Sequence, residues 1–138
     1  MSTLGVMLLA AGGAAGTLAR FGVVHAVKAI NPDSPHGGQA FPWGTLAVNM
    51  VGCLAIGLLA PGLIAAGVRE DYRNAVVVGL LGGFTTYSSF AWESHQLWTQ
   101  GRPWAAAFYV AASVVGGVAL AFAGAMIAGP ILTRLGTR

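Results

Sequence analysis

Apolar residues run along this chain in four long blocks, set apart by short stretches of polar and turn-forming positions. No Asp, Glu, Lys or Arg stands in residues 1–19, 34–68, 74–92 or 103–133. A helix needs about 20 mostly apolar residues to cross the hydrocarbon layer of a bilayer. The pattern therefore predicts an all-α integral membrane protein with four transmembrane helices, at about 4–27, 43–66, 75–98 and 104–128, in a single transmembrane domain over 1–138. The first block lacks a basic leader, and Gly12, Gly13 and Gly16 interrupt it, so it reads as a retained helix rather than a signal peptide. The connection near 29–42 carries the breaker run Asn31-Pro32-Asp33-Ser34-Pro35-His36-Gly37-Gly38. The second holds Arg69, Glu70, Asp71 and Arg73, and the third Gln100-Gly101-Arg102-Pro103. None is long enough for a soluble domain, which places the function within the membrane.

Composition agrees and narrows the classes. Hydrophobic residues make up 56% of the 138 positions and charged ones 8%, against about 25% charged in soluble domains. A mean hydropathy of +0.72 and 21 glycines suit close-packed helices in lipid. Seven basic residues against four acidic ones give a net charge of +3, but no two of the basic ones are adjacent, so there is no nucleic-acid footprint. The lone Cys53 forms no internal disulfide and no metal site, and reads as a packing residue. If the spans alternate, Arg69, Arg73, Arg134 and Arg138 share one side. Lys28 and Arg102 take the other, joined by Arg20 if it lies toward that end. The positive-inside rule needs a clear excess to fix orientation. A near tie allows insertion both ways, or a single weakly biased orientation.

Polar groups inside the blocks need reasons, because they are costly in lipid. The third block reads Gly79-Leu80-Leu81-Gly82-Gly83-Phe84-Thr85-Thr86-Tyr87-Ser88-Ser89-Phe90. Each glycine costs about 1 kcal/mol of helix propensity relative to alanine, and the hydroxyls compete for backbone partners. A break near Gly82–Thr86 is expected. Non-helical backbone at that depth either lines a wet cavity or is buried in protein, and here it serves ions or forms a small-residue packing surface. Asn49 offers an amide either to an anion or to a neighbouring helix. Tyr109 and Ser113, four apart, share one face and form either a hydroxyl track or an interhelical bond. Tyr87 and Phe90 present weakly positive ring edges, in a core pair or beside a small anion. Arg20 snorkels to the interface or draws anions into a vestibule. Glu93 stands near the other end of the third helix, and the histidines share no ligand spacing.

Three of these stretches together carry a family resemblance. Gly12-Gly13-Ala14-Ala15-Gly16-Thr17-Leu18-Ala19-Arg20-Phe21, Gly44-Thr45-Leu46-Ala47-Val48-Asn49-Met50-Val51-Gly52 and Gly79 to Phe90 resemble, in order, the motifs of the first three helices of the CrcB/Fluc fluoride channels. The resemblance implies a passive, highly selective channel that exports fluoride and limits its toxicity, in the inner membrane of a prokaryote. It implies a homodimer, antiparallel and of dual topology, with two pores. It implies a structural sodium ion held at the dimer centre by backbone carbonyls, here those of Gly82 and Thr85. The fluoride path it implies uses Asn49, Tyr87, Phe90, Ser88, Ser89, Tyr109 and Ser113, with Arg20 and Glu93 as vestibule or pore-end charges. Tyr87 departs from the usual Phe, and its phenol adds bulk and a donor. Membrane lipid and fluoride are the partners expected, and no nucleic acid or enzymatic activity. A small multidrug exporter would need an acidic residue in the first helix, where there is none. A structural subunit of a larger complex would use the same polar set for packing alone.

Overall fold

The blocks become helices. The computed structural model describes residues 2–31 and 40–134, so most of the first connection and Arg138 lie outside the description. Among the described residues four spans are long and apolar enough to cross a membrane: Thr3–Ile30, Trp43–Ala65, Glu70–Thr99 and Pro103–Pro130. The first two are α1 (Thr3–Ile30) and α2 (Trp43–Ala65). The third span is divided. Its first half, α3, comprises Glu70–Asn74, a π-helical stretch Ala75–Leu81 and a last turn Gly82–Phe84. Its second half, α4, is Tyr87–Thr99. The fourth helix, α5, runs through Pro103–Ala111, a π-helical stretch Ala112–Gly116 and Gly117–Arg134.

The third span starts earlier than its apolar run, because Glu70 and Asp71 occupy the first helical turn, where the dipole favours negative charge. Two connections are tight turns closed by glycine in the left-handed region, Gly67 at φ 62° and Gly101 at φ 72°. In each the following N–H reaches back five residues, Val68 to the Leu63 carbonyl and Arg102 to that of Leu97. Pro103 then opens α5 at a position where its missing N–H costs nothing.

Small residues let backbones meet, as expected where lipid supplies no hydrophobic drive between helices. Gly12 and Gly16 of α1 bring it against the Ala75 and Leu80 carbonyls of α3, and a Cβ at Gly79 would lie 2.7 Å from the Leu9 carbonyl oxygen. Gly57 and Gly124 do the same between α2 and α5. The molecule is thus two close helix pairs, α1 with α3 and α2 with α5. A small core of Phe90, Leu97, Ala106 and Tyr109 joins α4 to the start of α5. At the opposite end Ser2 caps α1 and donates to Asp71 at 2.7 Å, tying the start of α1 to the first turn of α3.

Candidate functional site

The break falls on Thr85 and Thr86, whose backbones are extended (φ −85°, ψ 158° and φ −147°, ψ 114°). It lies within the expected Gly82–Thr86 window, but the glycine pair itself stays helical. Gly83 is held by close approach to Gly13, where a Cβ would lie 2.5 Å from the carbonyl oxygen. The threonines break the helix because their backbone groups find partners elsewhere. Thr86 N–H donates to Asn49 Oδ1 at 2.8 Å, and Asn49 Nδ2 donates to the Thr86 carbonyl at 3.1 Å. Thr86 Oγ1 caps α4 by accepting from Ser89 N–H at 3.3 Å, while Thr85 Oγ1 donates back to the Leu81 carbonyl at 3.0 Å.

Two helical carbonyls lose their usual donors in this arrangement. In an unbroken helix Gly82 would accept from Thr86 N–H and Thr85 from Ser89 N–H. Those donors go instead to Asn49 and to the Thr86 hydroxyl. The Thr85 carbonyl accepts from Arg20 Nη1 at 3.4 Å. Both are neutral oxygen donors at membrane depth, a set suited to a hard monovalent cation, so the residues present fit a sodium ion.

One turn into α4, Phe90 is 8% exposed and packs against Tyr109, ring centroids 5.3 Å apart. Tyr87 lies 5.5 Å from Phe90 on the other side and is 79% exposed. Tyr109 is fully buried; its hydroxyl donates to Glu93 Oε2 at 2.7 Å, and Thr45 Oγ1 donates to Glu93 Oε1 at 2.7 Å. The site thus holds a carboxyl group inside a membrane span by two hydroxyl donors, one from α2 and one from α5.

Two clefts flank this cluster. One, of about 400 Å³, is lined by Lys28, Thr45, Ser89, Glu93 and Gln96. The other, of about 410 Å³, is lined by Asn49, Thr86, Tyr87, Phe90 and Ser113. The Ser113 hydroxyl is buried and has no hydrogen-bond partner among the described residues. A hydroxyl sequence runs along the first turn of α4: Thr86 Oγ1 donates to Ser89 Oγ at 3.0 Å and meets Ser88 Oγ at 3.3 Å. Thr86 lines one cleft and Ser89 the other.

The expected residues are therefore largely brought together, with three differences. Arg20, expected to snorkel to the interface or to draw anions into a vestibule, stands well before the end of α1 at Ile30 and turns its guanidinium inward to the break. Glu93 was read as a charge near an interface, but it sits between two hydroxyls with α4 running on to Thr99. Tyr109 and Ser113 do not form one continuous track, since the phenol turns to Glu93 while the serine lines the cleft beside Phe90. Sequence reasoning missed Thr45. It stands four residues before Asn49 on the same helical face, but that spacing alone does not single it out from an ordinary helical threonine.

The profile of CrcB-like proteins (Camphor Resistance, CrcB) matches residues 7–125. A Chelativorans protein named fluoride-specific ion channel FluC is 41% identical over 92% of this chain and 98% of its own length. A protein of the same name from Agrobacterium fabrum is 41% identical over 88% and 93% respectively. Another from Sphingopyxis alaskensis is 45% identical over 84% and 88%.

Proposed function

Because the chain belongs to the CrcB family, and relatives at this level of identity are fluoride-specific ion channels, we propose that it is a passive, selective fluoride channel of a prokaryotic inner membrane. The observation that carries this reading is the buried Ser113 hydroxyl, without a hydrogen-bond partner among the described residues, lining the cleft beside Phe90. A buried polar group without a partner asks for a water or an ion. A small anion is the ligand that suits a hydroxyl donor set against an aromatic edge.

Fluoride holds its water tightly, so a path that accepts it must offer close donors as the water is shed. The cleft of Asn49, Phe90 and Ser113 supplies them on one side of the Phe90–Tyr109 contact. The cleft of Lys28, Thr45 and Ser89 supplies them on the other. A path that accepts fluoride would refuse larger halides by its size and by the spacing of its donors, since selectivity in a pore follows size and lining groups. The N-cap and first residue of α4, Thr86 and Tyr87, line the cleft of Asn49 and Ser113, and the positive N-terminal end of that helix favours an anion there. Glu93 occupies the donors of Thr45 and Tyr109, and an anion passing between the clefts competes with its carboxylate for them.

A structural sodium ion belongs to the same reading, held by the Gly82 and Thr85 carbonyls. It would supply fixed positive charge beside the break. Two carbonyls from one chain leave such an ion incompletely surrounded, and a second, antiparallel copy supplies the same pair. The exposure of Gly82 and Tyr87 supports that placement, and two copies give two paths. No energy input is needed: hydrogen fluoride enters as a neutral acid, dissociates inside, and the negative interior potential expels the anion.

The test is fluoride efflux from liposomes holding the purified protein alone. It is read with a fluoride electrode, with a potassium ionophore to balance charge and chloride-loaded vesicles as control. Rapid fluoride release without chloride release is the expected result. Folded protein that releases neither ion would overturn the reading.

A further inference from the structure

Asn49 spends its amide on backbone. Oδ1 takes the Thr86 N–H at 2.8 Å and Nδ2 gives to the Thr86 carbonyl at 3.1 Å. This two-point pairing is what a neighbouring strand would offer an extended residue, and Thr86 is extended and buried. The Thr86 N–H belongs to the same planar peptide as the Thr85 carbonyl, and in a trans peptide the two point in opposite directions. Once Asn49 on α2 fixes the N–H, the Thr85 carbonyl must face away from α2. It does so: its oxygen meets Arg20 Nη1 of α1 at 3.4 Å, so a cation already stands where that oxygen points. One peptide plane is therefore held between α1 and α2, and its oxygen is presented to positive charge.

We propose that Asn49 is a positioning residue that sets the direction of the Thr85 carbonyl through the Thr85–Thr86 peptide, in addition to lining the anion cleft. Its effect on a sodium ion rests on the assignment of that carbonyl as a sodium ligand; the hold on the peptide does not. A residue of the fluoride path is thereby joined, by one rigid backbone unit, to the cation site. Loss of Asn49 disturbs both ions together.

The full-length protein in lipid nanodiscs tests this by hydrogen–deuterium exchange at the Thr86 amide, together with fluoride flux titrated against sodium. In Asn49→Ala the Thr86 amide loses its acceptor, and its exchange accelerates about tenfold, the worth of one hydrogen bond. The sodium concentration for half-maximal flux rises in the same variant. Asn49→Asp keeps an acceptor for that N–H, so Thr86 stays protected although flux is lost. This second variant decides the matter if Asn49→Ala fails to fold. Unchanged Thr86 exchange in folded Asn49→Ala, or a deprotected Thr86 in folded Asn49→Asp, overturns the proposal. Wild-type flux that is indifferent to sodium, with the exchange pattern as expected, removes the sodium assignment and leaves the peptide hold standing.

Discussion

At the scale of single residues, the chemistry concentrates where hydroxyl and amide groups meet two aromatic rings. Replacing Phe90 by Ile keeps bulk but removes the ring edge from between the clefts. Fluoride flux through reconstituted Phe90→Ile is expected to fall about tenfold, with the size-exclusion elution volume unchanged; full-rate flux would refute the ring-edge role. Asn49→Asp places a negative charge in the cleft and turns one carboxylate oxygen toward the Thr86 carbonyl. Its flux should drop more than about a hundredfold in the same efflux assay. Tyr109→Phe deprives Glu93 of one of its two hydroxyl donors. Leaving a buried polar group without one of its partners costs about 1–3 kcal/mol, which thermal unfolding in detergent would register as a lowered midpoint. Asn49 and Phe90 were visible in the sequence as polar and aromatic interruptions of apolar runs. Thr45 was not, because a threonine early in an apolar helix has many ordinary uses until its partner is known. The inward reach of Arg20 was hidden for the same reason: a long side chain can snorkel outward or turn inward, and only the freed Thr85 carbonyl decides between them.

At the scale of helices, glycine and threonine divide the labour differently from what their propensities suggest. Gly82 and Gly83 were the natural place to expect the break, being poor helix formers. They remain helical because α1 packs against that turn, and the chain opens one step later, where Asn49 offers a better partner to Thr86. Propensity is local, whereas the competing partner arrives from a helix more than 30 residues away, so the sequence could bracket the break without placing it. The same packing makes a sharp prediction. A methyl at Gly16 would collide with the Leu80 carbonyl and lie 2.8 Å from the Phe84 nitrogen, all of it backbone that cannot step aside. Gly16→Ala is expected to destabilise by about 1–3 kcal/mol. Gly22→Ala, with nothing within 4 Å, should leave the protein as stable as before or slightly more so. Fluorescence-detected size-exclusion melting of the two variants side by side separates them.

At the scale of the whole molecule the two membrane faces are unlike each other in aromatic content yet close in charge. Trp43, Trp98 and Trp104 stand exposed at the end where α2 and α5 begin and α4 finishes. Such residues anchor at headgroups. With Arg20 turned inward to the break, the sequence count of basic residues on alternate sides is Arg69, Arg73, Arg134 and Arg138 against Lys28 and Arg102. A margin of two is small enough for both orientations to be populated, and an antiparallel pair would place the same aromatic belt in each leaflet. If function requires both orientations, then charge added to one side must reduce activity without touching the path. Three lysines inserted between α1 and α2 would reverse the count, to four against five. Cysteine labelling from either side of intact cells should then find the chains in predominantly one orientation, and fluoride resistance should fall. Resistance should return when a second copy, biased oppositely by lysines in the connection between α2 and α3, is expressed with it. Rescue by that partner would separate a requirement for mixed orientation from simple damage, because neither chain alone carries the opposite sidedness. A biased chain that retained full resistance alone would show instead that parallel or single-orientation assemblies conduct.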